Sequence, residues 1–233
     1  MALEPDDLVT NRQQRCPVVL ALDASSSMHG TRIDTLNETL KGFKEELVSD
    51  PVAALRVELA VVRFDSTATL VQDFVTARNF NPPVLEASGT TAMGEAVNIA
   101  LDQLEARKQR YRETGVKYYR PWLWLMSDGM PNDDWEAAAA RALAAERDKK
   151  VSVFAVGIGD GANLSVLGEF SARPAVRVQP GMFGRMFEWL SASLQARSKS
   201  IPVETEGGDG AAAATTAAGE QIKFDPIDWG VQD

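Results

Sequence analysis

Apolar runs alternate with helix-period segments from residue 17 to residue 197. Five runs read as strands, at 18–22, 55–64, 68–74, 121–126 and 151–156, with a weaker sixth at 176–178. The runs at 18, 121 and 151 are continuously apolar, the pattern of central parallel strands covered on both faces. Phe64-Asp65-Ser66-Thr67 is a short polar break between two strand runs, which predicts a hairpin and one antiparallel edge strand. Between strands the period lengthens. Ile33, Leu36, Leu40, Phe43 and Leu47 share one helical face after Thr31, a candidate cap. Met93, Val97, Ala100, Leu101 and Leu104 repeat the pattern, and 135–145 and 182–194 give two more helices. The alternation predicts a Rossmann-like α/β sandwich: a mainly parallel central sheet, one antiparallel edge strand, and helices on both faces. Ligands of such sheets bind outside the carboxyl ends of the strands. Asp23 and Asp128 both follow apolar strand runs, so both are expected at that rim.

The pattern stops after Ser200. Residues 202–220 are chiefly Pro, Gly, Ala, Thr and Glu, with almost nothing to bury, and read as a flexible linker. The last thirteen residues then place Phe224, Ile227 and Trp229 within six positions. Disordered tails rarely carry such residues unless they bury them somewhere, so these three are candidate partner-binding residues. The expected organisation is an N-terminal extension (1–15), one domain (16–199), a linker (200–220) and a terminal peptide motif (221–233).

Composition narrows the classes. With 233 residues and 45% hydrophobic content the chain can bury one full core but hardly two. The net charge is −9, of which −6 falls beyond Ser200, and the sequence pI is about 4.8. That balance argues against a protein whose affinity comes from neutralising phosphates, so no nucleic-acid partner is expected. Cys16 is the single cysteine, which excludes an intrachain disulfide. The first seven residues are acidic and lack the apolar stretch of a secretory signal. No apolar run approaches a membrane span. The expectation is a soluble cytoplasmic protein.

The candidate chemistry begins at Asp23-Ala24-Ser25-Ser26-Ser27, where a carboxylate and two hydroxyls at alternate positions follow a buried strand. Thr91, in Ser88-Gly89-Thr90-Thr91-Ala92-Met93-Gly94, and Asp128, in Ser127-Asp128-Gly129, complete a set of hard oxygen donors. Few carboxylates, several hydroxyls and no Cys or His suit Mg²⁺, with Mn²⁺ or Ca²⁺ as substitutes, and leave open positions for water or a partner. The competing reading is that Asp23 and the serines only cap a turn, as Ser and Asp do elsewhere.

The order Asp-x-Ser-x-Ser, Thr, Asp resembles the metal-ion-dependent adhesion site of von Willebrand factor A domains. The resemblance implies that Asp23, Ser25, Ser27, Thr91 and Asp128 form a metal site whose open position is filled by an acidic residue of a protein partner. It also implies that hydroxyls and one carboxylate touch the metal directly while the other carboxylate works through water, either Asp being able to take either part. Residues 128–135, 88–97 and 183–193 further resemble the TerY-like branch of bacterial von Willebrand A proteins. That branch is associated with tellurium-resistance and stress gene clusters, beside a protein kinase and a metal-dependent phosphatase. One departure is Ser26, where the pattern usually has Gly. A loop needing positive φ there would be strained.

Enzyme readings find fewer parts, and no catalytic residue is assigned. An Asp-x-Asp phosphotransfer loop needs a second Asp where Ser25 stands, although a metal-assisted hydrolase or phosphotransferase using Asp23 and Asp128 is the alternative function. His29 is the only histidine, and no nucleophile-elbow glycines surround it, so it reads as a loop residue. Gly157-Ile158-Gly159-Asp160-Gly161-Ala162 fits a dinucleotide fingerprint on paper, but its late position and short following helix favour a plain glycine turn. The basic stretch at Arg107, Lys108, Arg110, Arg112, Lys117 and Arg120 reads as a solvated helix end and loop, with an acid-docking patch as the lesser reading.

Overall fold

The computed structural model describes residues 7–199. The elements follow in the order α1 (Asp7–Thr10), β1 (Cys16–Asp23), α2 (Thr31–Ser49), α3 (Pro51–Arg56), β2 (Val57–Phe64), β3 (Ala68–Thr76), α4 (Met93–Thr114), β4 (Trp122–Ser127), α5 (Trp135–Arg147), β5 (Ser152–Ile158), α6 (Leu164–Gly168), β6 (Val176–Val178) and α7 (Phe183–Lys199). They build one six-stranded sheet in the order β3-β2-β1-β4-β5-β6. Every pair is parallel except β2 with β3, which is antiparallel and forms the edge expected from the polar break at Asp65.

β1 is the axis of the sheet, and all eight of its residues are buried. Its alternation divides the core. Val18, Leu20 and Leu22 point into a layer with the apolar faces of α2 and α7, while Val19 and Ala21 point into the layer under α4 and α5. The face of α2 is the one its spacing predicted, with Ile33, Leu36, Leu40, Phe43 and Leu47 all buried. Trp122 and Trp124 of β4 are core residues on the α7 side, and both pack on Phe154.

Three local expectations are corrected. Leu55 and Arg56 belong to the short helix α3 and not to β2. Pro51 opens that helix, and the Asp50 carboxylate caps it by accepting from the backbone N–H of Val52 and Ala53 at 2.9 and 3.1 Å. A proline in the first turn costs no hydrogen bond, so the segment after Ser49 turns again before the strand starts. The residue preceding α2 is Gly30, with no side-chain cap, and Thr31 is the first helical residue. Ser26 lies in a 3-10 turn, and Lys149 is the only non-glycine with positive φ among the described residues, so Ser26 is not strained.

The chain crosses from one side of β1 to the other between β3 and β4, so the crevice between β1 and β4 is a topological switch point. Asp23 is the last residue of β1, and Asp128 directly follows β4. The linker 200–220 and the peptide containing Phe224, Ile227 and Trp229 lie outside the described residues.

Candidate metal centre

Three loops meet at that crevice. The loop after β1 is zipped to its neighbours by backbone bonds: the Ala24 N–H donates to the Phe64 carbonyl (2.8 Å), Ser88 N–H to the Ala24 carbonyl (2.8 Å) and Ser26 N–H to the Gly89 carbonyl (3.1 Å). The Ser26 hydroxyl adds a second bond to Gly89 at 2.8 Å. With the loop fixed, its two alternate serines present their hydroxyls together, the Oγ atoms of Ser25 and Ser27 lying 2.9 Å apart. Ser27 Oγ in turn donates to Asp128 Oδ1 at 2.5 Å, joining the first loop to the third. Thr91 arrives from the second loop. A side chain begun on Gly129 would lie 3.4 Å from Thr91 Oγ1 and 3.7 Å from Ser27 Oγ, which places both hydroxyls over the same bare glycine.

Asp23, the last residue of β1, is fully buried. Oδ1 accepts from the backbone N–H of Ser25 at 2.8 Å, and Oδ2 accepts from the Ser127 hydroxyl. No cationic side chain pairs with it among the described residues. Burial pushes its carboxyl up to about 6; the bonds from Ser127 and Ser25 pull the other way, and the nearby Asp128 charge adds to the rise. Asp128 is nearly as buried but has a cation. Arg32 Nη1 donates to Asp128 Oδ2 at 3.0 Å and to the Ser27 carbonyl at 2.7 Å.

The structure thus brings Ser25, Ser27, Thr91 and Asp128 together, and joins Asp23 to them through its bond from the Ser25 N–H. Among the described residues no group of three or more His, Cys, Asp or Glu could hold a metal, so a cation here would rest on hydroxyls and two carboxylates. That donor set fits a small hard cation. The Ser25, Ser27 and Asp128 oxygens lie within hydrogen-bonding distance of one another, and the buried Asp23 carboxylate lacks a counter-charge. His29 is exposed at the end of the 3-10 turn.

The sequence reading missed the residues that hold Thr91. Its N–H donates to Asn132 Oδ1 at 2.7 Å, and the Asn132 N–H returns a bond to the Thr91 carbonyl at 3.1 Å. Asp133 then caps α4 from outside, accepting from Gly94 N–H (3.1 Å) and Glu95 N–H (2.8 Å), because Ala92 ahead of that helix has no side chain able to do so. A carboxylate at a helix N-terminus is favoured by the dipole as well. Gly94 permits the approach, since a Cβ there would sit 2.7 Å from the Trp135 Cα. The stretch 128–133 thus carries one predicted donor and clamps the turn bearing another. Asn-Asp-Asp before a helix reads in sequence as a cap for that helix itself, which hid the assignment.

Two other motifs resolve to structural roles. The Gly157–Ala162 turn is closed by Arg177, whose guanidinium donates to the carbonyls of Gly159 (2.6 Å) and Ala162 (3.2 Å), and α6 beyond it has only five residues. In the basic stretch, Arg107 pairs with Glu58, and Lys108 and Arg112 pair with Glu105.

The von Willebrand factor type A domain model matches residues 18–186. Among solved structures, proximal thread matrix protein 1 of the mussel byssus, determined with a zinc-occupied MIDAS motif, is 16% identical with a TM-score of 0.53, covering 78% of this chain and 48% of its own. A von Willebrand factor type A protein from Catenulispora acidiphila is 16% identical with a TM-score of 0.58, covering 79% and 43%. The von Willebrand domain of the pilus tip protein Mfa5 from Porphyromonas gingivalis is 12% identical with a TM-score of 0.58, covering 82% and 99%. The chain thus spans about half the length of the mussel protein. Comparison with curated proteins finds no match to the sequence. No helix among the described residues is long and apolar enough to cross a membrane.

Proposed function

Because the chain belongs to the von Willebrand factor type A domain family, we propose that it is a divalent-cation-dependent protein-binding module. Asp23, Ser25, Ser27, Thr91 and Asp128 hold the cation, with Mg²⁺ as the occupant. The observation that carries this reading is the meeting of three loops at the switch point, with Ser25, Ser27 and Asp128 oxygens 2.5–2.9 Å apart and Thr91 over the same glycine. The zinc in the mussel relative's motif supports it. Bound there, the cation supplies an electrophilic coordination position that a carboxylate of a protein partner fills. The chain's own part is positioning. Ser25 N–H and the Ser127 hydroxyl orient Asp23, Ser27 orients Asp128, and Asn132 fixes Thr91.

The finer reading makes this an adaptor in a bacterial stress or tellurite-resistance module, with a protein kinase and a metal-dependent phosphatase as partners, acting in the cytoplasm. The likeness of residues 88–97, 128–135 and 183–193 to the TerY-like branch supports it. In the same reading 16–199 is the binding domain, 200–220 a tether, and Phe224, Ile227 and Trp229 a second contact that raises the effective concentration of the first. Affinity purification from cells with Mg²⁺ and with chelator tests the proposal. A partner lost in chelator while circular dichroism is unchanged supports it, and equal recovery in both overturns it. Turnover of phosphoesters with Mg²⁺ or Mn²⁺ that Asp23→Ala abolishes would instead establish the hydrolase reading.

A further inference from the structure

Arg32 stands where helix electrostatics disfavour a cation. It is the second residue of α2, at the end where the dipole is positive, and Gly30 ahead of that helix provides no side-chain cap. Its contacts account for the placement. Nη1 spans the Ser27 carbonyl and Asp128 Oδ2, so the guanidinium touches two residues of the candidate centre. The Asp128 side chain is 2% exposed and that of Arg32 is 40% exposed, so one end of the pair faces solvent. The Nε and Nη2 atoms lie across Gly159, 3.7–3.8 Å from where a side chain would start, and neither makes a hydrogen bond among the described residues.

Asp23 and Asp128 together bring −2, which one divalent cation cancels. The neighbouring Asp65 is matched by Arg63 and adds nothing net. Counting the two candidate ligands, the cation and the side chain that touches Asp128, Arg32 leaves the loaded centre at +1; Asp133 lies outside that set, spent on the α4 N-terminus. We propose that Arg32 is a specificity-determining residue: it holds back the affinity for the cation and, by keeping the loaded centre positive, selects a partner that presents a carboxylate. This rests on the metal-dependent reading above. The two consequences have opposite signs, which a residue that merely pins the Ser27 loop would not produce. Pinning alone would make both interactions weaker on its removal.

The test uses the full chain, its Arg32→Gln and Arg32→Lys variants, Mn²⁺ as the cation and acetate as the probe carboxylate. Free Mn²⁺ is counted by electron paramagnetic resonance. Acetate binding is read from broadening of its methyl resonance by Mn²⁺-loaded protein held in excess over metal. With a partly exposed charge a few ångströms from the centre, Arg32→Gln should bind Mn²⁺ roughly three- to tenfold more tightly and acetate roughly three- to tenfold more weakly. Arg32→Lys, which keeps the charge, should stay within about twofold of the wild type in both. Raising the ionic strength should shrink the difference. Equal or weaker Mn²⁺ binding by Arg32→Gln, with the wild type binding normally, overturns this inference and leaves the metal reading intact. Tighter Mn²⁺ binding with unchanged acetate binding overturns the selection of carboxylate. A wild type that binds no Mn²⁺ overturns both this inference and the reading beneath it.

Discussion

Two buried carboxylates at opposite ends of the sheet show what separates a finished ion cluster from an unfinished one. Glu58, in the second position of β2, is fully buried and fully matched. Oε1 accepts from Arg15 Nε and Arg107 Nη2, each at 2.8 Å, and Oε2 accepts from Arg107 Nε at 2.8 Å and from the Tyr111 hydroxyl. Arg15 also ties down the chain ahead of β1 through the carbonyls of Asn11, Gln13 and Leu55. Asp23, at the other end of the neighbouring strand, is equally buried and receives one backbone N–H and one hydroxyl, with no cation among the described residues. Burying an ion is costly unless its partners replace water, and at Glu58 they do. At Asp23 the replacement is incomplete: each oxygen accepts one hydrogen bond and neither meets a cation among the described residues. One end of the sheet holds a matched ion cluster, and the other leaves a buried carboxylate without a counter-charge.

The largest effect should come from breaking the finished end. Glu58→Gln leaves Arg15 and Arg107 without their buried counter-charge, and should cost about 3–5 kcal/mol. Urea denaturation should report the same loss in Mg²⁺ and in chelator, because this cluster takes no part in binding. Next is Asp23→Asn. In chelator it should cost little, since it removes a charge that has no partner. In Mg²⁺ it should forfeit the stabilisation that the ligand gives the folded state, about 2.7 kcal/mol when the ion stands at a hundred times its dissociation constant. A mutant that still melts higher with Mg²⁺ would remove Asp23 from the site. The third probe is Asn132→Ala, which frees the Thr91 turn without deleting a donor. Residues behind a ligand typically matter tenfold or more, so Mg²⁺ affinity by calorimetry should fall about tenfold while Asn132→Asp, which keeps an acceptor for Thr91 N–H, restores most of it. If both variants bind as the wild type does, the clamp is structural only.

The same contrast explains what could be read from sequence. β1, β4 and β5 are continuously apolar because both faces are covered, and such runs are legible without a structure. The antiparallel edge was legible from three polar residues, Asp65, Ser66 and Thr67. Asp23, Ser25 and Ser27 share one loop, so their spacing carried them, and Thr91 and Asp128 arrived through the order of motifs. What stayed hidden is whatever depends on a distant partner. Nothing local in Val57-Glu58-Leu59 says that two arginines 43 positions before and 49 positions after will meet that glutamate. Asp133 looks like a cap for its own helix and instead serves α4. Arg32 looks like an ordinary helix-surface arginine until Asp128 is placed beside it. α3 was missed because six residues are too few to show a period, and only Asp50-Pro51 marks its start.

The smallest effect tests whether Asp65, a further carboxylate at that rim, belongs with Asp23 or with Glu58. Asp65 directly follows Phe64, the register partner of Asp23, so it stands at the same end of the sheet. Its company is that of a finished site. Burial works to raise its pKa, but bonds from the Thr67 N–H and the Ser88 hydroxyl, together with the Arg63 guanidinium, outweigh it and hold the carboxyl below its usual 3.8. A depressed folded pKa means that ionised Asp65 stabilises the fold. That contribution is complete above the unfolded value near 4 and is lost as pH falls through the lower folded value. Asp65→Asn should therefore cost no more than about 1 kcal/mol at pH 7, since the pair with Arg63 is partly open to solvent. It should also flatten the acid side of the stability profile below about pH 4. Its Mg²⁺ affinity should remain within about twofold of the wild type, because its oxygens are committed to Arg63, Ser88 and Thr67. A loss of Mg²⁺ binding in this variant, with the fold intact by circular dichroism, would place Asp65 beside Asp23 as a sixth member of the donor set.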